Sequence, residues 1–235
     1  MKRLLSLGLT LGLLALGLHA LAADGDKAAA KEKLQALQEF IGKWNGNGGP
    51  EKAKATAKEL WSETLNWGWK FKGDDVALSL TIKDGKYYKG GELRWLPARK
   101  VFEFTAIDRD DKKLVFEGTI KKDALTLERI DSTSKETQQI IMNTAAEGDR
   151  FIFRYNHKAA GSTLYKKDYL VQATRDGVSL GKVDKKNVCV VSGGVGTIMV
   201  THKGETFYVC CSGCADAFKE NPEKYIAEFK AKKNK

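Results

Sequence analysis

From about Leu60 to Thr174 the chain alternates apolar and polar residues and is cut at short intervals by turn-forming pairs. Val76, Leu78, Leu80 and Ile82 alternate with Ala77, Ser79 and Thr81, the two-residue period that sets one row of side chains on one face of a strand. Asp84-Gly85 follows, a pair suited to a tight hairpin turn. Tyr87 to Leu96 is the next strand, bent or bulged at Gly90-Gly91, and Pro97-Ala98 turns it into Val101 to Ile107, with Phe102 and Phe104 on one side. Asp108 to Lys112, Lys121-Lys122-Asp123 and Glu147-Gly148-Asp149 separate further strands, marked by Leu114, Phe116 and Ile120, by Leu125 and Leu127, and by Phe151, Phe153 and Tyr155. Lys135 to Asn143 has weak periodicity and reads as a strand from its context, and Leu164 to Ala173 is the last one. About eight to ten strands in succession, with no helix of useful length between them, predict a mainly β fold. Consecutive hairpins favour an antiparallel up-and-down β-barrel, because closure removes the exposed edges. A barrel of this size has room for a small ligand, or fills its interior with its own aromatic side chains.

The two ends of the chain are of a different kind. Met1-Lys2-Arg3 is a basic start, Leu4 to Leu18 an apolar run, and Ala20-Leu21-Ala22 a small-x-small pattern. Together they predict a signal peptide over residues 1–22, cleaved after Ala22, and hence a periplasmic or secreted protein. The run is shorter than the roughly 20 apolar residues of a spanning helix, and no other stretch is long enough, so no membrane span is expected. The formal net charge is +10, partly carried by Lys2 and Arg3. The charge is spread along the chain without an aromatic-and-basic motif, which argues against a nucleic-acid partner. The basic run from Lys230 to Lys235 reads as a solvated tail.

Residues 23–40 read as a leader and a short helix, with Leu34, Leu37, Phe40 and Ile41 at helical spacing. The stretch Phe40-Ile41-Gly42-Lys43-Trp44-Asn45-Gly46 resembles the Gly-x-Trp-x-Gly opening of calycin-like barrels: lipocalins, fatty-acid-binding-like proteins and haem-binding nitrobindin-like proteins. The resemblance implies a lipocalin-like barrel over residues 41–175, with Trp44 closing its base and interior space for a small apolar or planar ligand. His157 is the sole histidine of this region. A haem iron could take it as an axial ligand, but a lone histidine at a strand end is more often hydrogen-bonded or at the surface, and haem is not expected. Glu92, Arg94, Glu103 and Asp168 are candidates to point inward, at no spacing that signals acid–base catalysis. With no Gly-x-Ser-x-Gly, His-Glu-x-x-His or phosphate-binding glycine loop, the chain does not read as an enzyme.

All four cysteines, Cys189, Cys210, Cys211 and Cys214, lie in residues 187–230, beyond a connector at Arg175 to Gly181. Val188-Cys189-Val190 reads as a short strand, Ser192 to Gly196 as a loop, and Thr197 to His202 with Glu205 to Val209 as a hairpin turned at Lys203-Gly204. Cys210 ends the hairpin. Ser212 is placed to cap a helix from about Gly213, on which Cys214, Ala217 and Phe218 share one side. Asn221-Pro222 stops that helix and opens another, with Tyr225, Ile226 and Phe229 apolar. Three thiols gathered by a hairpin and a helix start suit a soft or borderline metal ion. Cys189, Cys210 and Cys214 are the candidate ligands. Cys211, His202, water or a partner's group stands open as the fourth, and Cys211-x-x-Cys214 is itself metal-compatible. The helix start favours thiolates at Cys211 and Cys214. Disulfides are the competing reading, since an exported chain with an even number of cysteines is a usual place for them.

Cys189, the twenty-residue gap, Cys210-x-x-x-Cys214, the aromatic Glu205 to Val209 before the pair and Asn221-Pro222-Glu223-Lys224-Tyr225 after it resemble the YHS/TRASH group of small metal-binding domains. Val190-Val191 stands where many members carry Pro-Val. The resemblance implies a small treble-clef-like α+β domain following the barrel. It also implies a transition-metal ion, copper or zinc first, and a role in metal sensing, buffering or trafficking. The alternative is a lipocalin-like small-ligand or haem-binding protein whose C-terminal part is a disulfide- or zinc-stapled accessory. The sequence points to no particular protein partner.

Overall fold

The computed structural model describes residues 27–73, 75–178 and 187–233. The predicted signal peptide and residues 179–181 of the connector lie outside them. The alternating stretch folds as ten strands: β1 (Gly42–Pro50), β2 (Trp61–Lys72), β3 (Asp75–Lys83), β4 (Tyr88–Leu96), β5 (Val101–Asp108), β6 (Lys113–Lys121), β7 (Ala124–Ile130), β8 (Thr137–Ala145), β9 (Arg150–Lys158) and β10 (Lys166–Arg175). Each pairs antiparallel with its neighbour in sequence, and β1 pairs with β10 from Trp44↔Arg175 to Pro50↔Tyr169. The sheet is therefore a closed up-and-down barrel, of ten strands rather than the eight of a lipocalin. Lys135 to Asn143, with its weak period, falls largely in β8 as expected.

Alternation decides what lies inside. On β2, Leu65, Trp67 and Trp69 are buried while Asn66 and Lys70 are exposed. Phe102 and Phe104 of β5, Phe116 of β6 and Phe151 of β9 also face the core, each buried Phe contributing about 1.5–3 kcal/mol. Glu92 and Arg94 do not point inward, contrary to the sequence reading. Because Leu93 takes the inner face of β4, they flank it outside, where Glu92 meets Lys70 of β2 and Arg94 meets Glu92 and Asp75. Glu103, between the inward Phe102 and Phe104, pairs with Arg99.

One end of the barrel is stoppered by the segment that precedes β1. Helix α1 (residues 27–35) leads through a turn into a 3-10 turn at Gln38–Phe40, burying Leu34, Leu37, Phe40 and Ile41. The sequence pattern starts the helix at Lys31; in the structure residues 27–30 already belong to it. Phe40 meets Trp67 and Phe151 ring to ring, and Trp44 meets Phe151 at 5.5 Å. Trp44 Nε1 donates to the carbonyl of Phe40 at 2.7 Å. Arg175, at the end of β10, lies over the Trp44 ring at 4.1 Å and donates to the carbonyls of Glu39, Ile41 and Gly148. The base of the barrel around Trp44 is thus filled by protein side chains.

After β10, residues 187–233 form a tight turn at Cys189 to Gly194, the hairpin β11 (Ile198–His202) and β12 (Glu205–Val209), and helices α2 (Ser212–Glu220) and α3 (Pro222–Lys233). Lys203 and Gly204 carry the hairpin turn at φ of 49° and 81°, the left-handed pair a two-residue loop needs. Cys189 makes isolated bridge contacts rather than a strand. Helix α2 begins one residue earlier than the sequence suggested, with Cys211 and not Ser212 as its N-cap. Pro222 opens α3 as expected.

This unit rests on the barrel wall at β2. Strand β1 starts at Gly42, opposite Trp67, so residues 68–72 of β2 run past it and lack a β1 partner. The start of α2 covers that edge. A Cβ on Gly213 would come within 1.7 Å of the Trp69 carbonyl oxygen, so glycine is required for the approach. Gln35 of α1 reaches the carbonyl of Ser192 at 3.3 Å on the other flank. Among the described residues no helix is long and apolar enough to cross a membrane.

Candidate metal centre

A different element delivers each of three thiols to one point. Cys189 sits in a turn closed by its own N–H on the Gly194 carbonyl (2.7 Å) and by the Gly193 N–H on its carbonyl (2.8 Å). The Val190 N–H donates to the Tyr208 carbonyl at 2.8 Å and ties this turn to β12. Cys210 follows β12 directly, and Cys214 lies in the first turn of α2. The Sγ atoms of Cys189, Cys210 and Cys214 all lie within 4.8 Å of one another. Cys210 Sγ is 3.5 Å from Cys214 Sγ and 3.9 Å from Cys211 Sγ. All four cysteines are buried free thiols.

These distances suit a metal. An ion bound at the usual metal–sulfur length of about 2.3 Å holds tetrahedral sulfurs about 3.8 Å apart. The cluster therefore needs only small adjustments to close on an ion, and its all-sulfur donor set selects soft or borderline ions. Of the five residues singled out from the sequence, the structure brings Cys189, Cys210 and Cys214 together, with Cys211 at their side. His202 is not among them: its Nε2 lies 3.2 Å from Glu223 Oε1 and its ring stands edge-on to Phe218.

Two groups that the sequence did not single out support the thiols. The Ser192 N–H points at Cys189 Sγ (3.4 Å) and its hydroxyl lies 3.3 Å from Cys210 Sγ. The Trp69 N–H, on the free edge of β2, donates to Cys211 Sγ at 3.2 Å. The first belongs to a Ser-Gly-Gly turn three residues after Cys189 and has a local signal. The second spans 142 residues and has none.

Four adjacent thiols titrate as one group. Hydrogen bonds from the Cys210 and Cys214 thiols, then from Ser192, hold Cys189 well below the ordinary thiol range. The Cys210 and Cys214 thiols, with the backbone N–H groups of Cys214 and Trp69, hold Cys211 below the ordinary thiol range as well. Cys210 and Cys214 are pushed up because they keep the protons those bonds require. For Cys214 this outweighs the helix start, which alone favours the thiolate. A bound ion removes the distinction, since every ligand thiol must give up its proton. Two cations feel the cluster: Arg175 feels Cys210, and Lys31 of α1, lying 5.2 Å from the Tyr225 ring centre, feels Cys214. Both offset the negative charge of clustered thiolates.

The barrel end opposite α1 is open. Tyr87, Tyr155 and Tyr169 stack there, with ring centres 4.3 and 5.2 Å apart, beside a hollow of about 730 Å³. His157 belongs to that rim, its Nδ1 2.6 Å from Asp168 Oδ2. Just below, the space among Glu63, Ile82, Phe153 and Val171 narrows to about 10 Å³. No family model matches the chain, and no curated protein is significantly similar to it.

Proposed function

We propose that this protein is an exported binder of a soft transition-metal ion, copper(I) or zinc, that acts in metal sensing, buffering or trafficking. The observation that carries the reading is the meeting of three buried thiols, from a turn, a strand end and a helix start, within 4.8 Å. The YHS/TRASH resemblance of residues 187–230 supports it from the sequence side, and the signal-peptide pattern of residues 1–22 supports export. A three-thiolate set fits copper(I); zinc takes four ligands and draws on Cys211 or water. An open position suits acceptance and release better than a closed structural site.

Elemental analysis of protein taken from its native compartment, with a free-thiol count, is the direct test. One ion per chain is expected, falling to none when Cys189, Cys210 and Cys214 are all changed to Ser. Unchanged stoichiometry in that variant would sink the reading. Fewer than four free thiols in metal-free protein would instead favour the disulfide-stapled accessory. A second reading, a small planar ligand at the barrel mouth, is supported by the tyrosine stack beside the hollow of about 730 Å³. Saturable quenching of tyrosine and Trp61 fluorescence by such a ligand, lost on Tyr169→Ala, would favour it.

A further inference from the structure

The four thiols differ in how solvent reaches them. Cys189 and Cys214 are completely buried, Cys210 is 4 % exposed and Cys211 9 %. A groove of about 470 Å³ runs between the barrel wall and the cysteine unit, and of the four cysteines Cys210 and Cys211 line it. Its other walls include Asn66, Ser79 and Thr81 of the barrel and Thr197 and Ser212 of the cysteine unit. These are neutral hydrogen-bonding groups; the Lys43–Asp176 ion pair and Arg175 also line the groove, a setting for an ion that arrives as a neutral or anionic complex with a small ligand. At about 30 Å³ per water molecule, the groove has room for such a complex.

We propose that Cys211 is the receiving ligand of the metal centre: an ion reaches it through this groove and is then passed to Cys210, Cys214 and Cys189. The proposal rests on the metal-binding reading and adds the route. The geometry allows the ion never to be bare. Cys211 and Cys210 Sγ are 3.9 Å apart, less than twice the usual metal–sulfur length of about 2.3 Å, so one ion can bridge both. Cys210 and Cys214 Sγ at 3.5 Å permit the same for the next step. In the first exchange the Cys211 thiolate forms its bond to the ion as the incoming ligand's bond breaks, and that ligand leaves with the electron pair of the broken bond. In each later exchange the accepting sulfur bonds the ion as the previous sulfur's bond breaks; Cys210 and Cys214 give up their protons to solvent, and Cys189 joins as a thiolate. The oxidation state of the ion does not change. When the ion has moved on, Cys211 Sγ returns to the Trp69 N–H, 3.2 Å away, which gives it a resting partner other than the metal.

The test is stopped-flow transfer of copper(I) from its bicinchoninate complex to the full mature chain, under reducing, oxygen-free conditions. Cys211→Ser is expected to keep one ion per chain at an affinity within about threefold of wild type while loading at least about tenfold more slowly. Thr81→Trp narrows the groove from an exposed strand position and touches none of the thiols. It is expected to slow loading with unchanged stoichiometry, and it holds the proposal to account should Cys211→Ser fold poorly. Wild-type loading rates in both variants would overturn the route. So would a loss of affinity in Cys211→Ser as large as in Cys189→Ser, which would make Cys211 a resident ligand. Wild-type protein that takes no copper, by contrast, overturns the metal-binding reading itself.

Discussion

Arg175 shows how much one side chain can hold. Only 6 % of its side chain is exposed, and its guanidinium serves carbonyls of Glu39, Ile41 and Gly148 while lying on Trp44. Burial lowers its pKa, against the nearby carboxylates of Asp149 and Glu39. Lysine keeps the charge but lacks the planar fork. Arg175→Lys should therefore lower stability by about 2–4 kcal/mol, read as a lower urea midpoint with an unchanged slope. Arg175 was hidden in the sequence, where it opens what reads as a connector, because nothing local says that three carbonyls far back in the chain need a donor. The clustered cysteines were legible for the opposite reason. Cys189, Cys210 and Cys214 are fixed by a hairpin length and a helical turn, both of which are local quantities. Trp69 joined them only through the tertiary packing of β2.

Between strands, short turns set the local electrostatics. Asp131, in the β7–β8 connection, accepts the N–H groups of Thr133 (2.9 Å) and Ser134 (3.0 Å), and these hold its pKa down to about 2 from an ordinary 3.8. A folded pKa below the unfolded one means that the stabilisation is complete above pH 3.8 and is lost as pH falls through 2. Amide exchange at Thr133 and Ser134 should accelerate over that window, and Asp131→Asn should remove the dependence. The contact of α2 with β2 gives a sharper expectation. Gly213→Ala sets a methyl against a carbonyl that cannot retreat without unpairing β2 from β3. It should lift the helix from the wall and weaken metal binding about tenfold or more, equivalent to about 1.4 kcal/mol, while far-ultraviolet circular dichroism keeps the barrel's strand signal. Strand order and hairpins could be read from alternation and turn pairs. The N-cap at Cys211 could not, because its thiol turns to the barrel and leaves the cap without a side-chain bond.

Over the whole molecule, the barrel interior and the buried thiols belong to one continuous cluster of buried residues. The sequence suggests an appended unit, because a linker and a change of pattern separate the two; which wall the unit rests on depends on an edge created only when β1 ends early. All five tryptophans, from Trp44 to Trp95, belong to the barrel, so tryptophan fluorescence reports the barrel alone. If the two parts unfold together, an ion at 100 times its dissociation constant adds about 2.7 kcal/mol to both. The fluorescence-detected melting midpoint should rise with metal in wild type and stay fixed in the triple Cys→Ser variant; a midpoint indifferent to metal in wild type would show that the parts melt separately.

The overhang of β2 beyond β1 also dictates an order of events for a chain that emerges from its N-terminus. Strand β1 is made first of the ten but finds one of its two neighbours only when β10 arrives, Trp44 opposite Arg175. Residues 68–72 wait longer still, until Cys211 and Gly213 exist to meet Trp69. Through most of its synthesis this protein therefore carries two bare strand edges, each an invitation to another copy. The segment that seals the second is the one that holds the thiols, so a chain cut short of it should collect as strand-paired oligomers rather than as a quiet, lighter monomer.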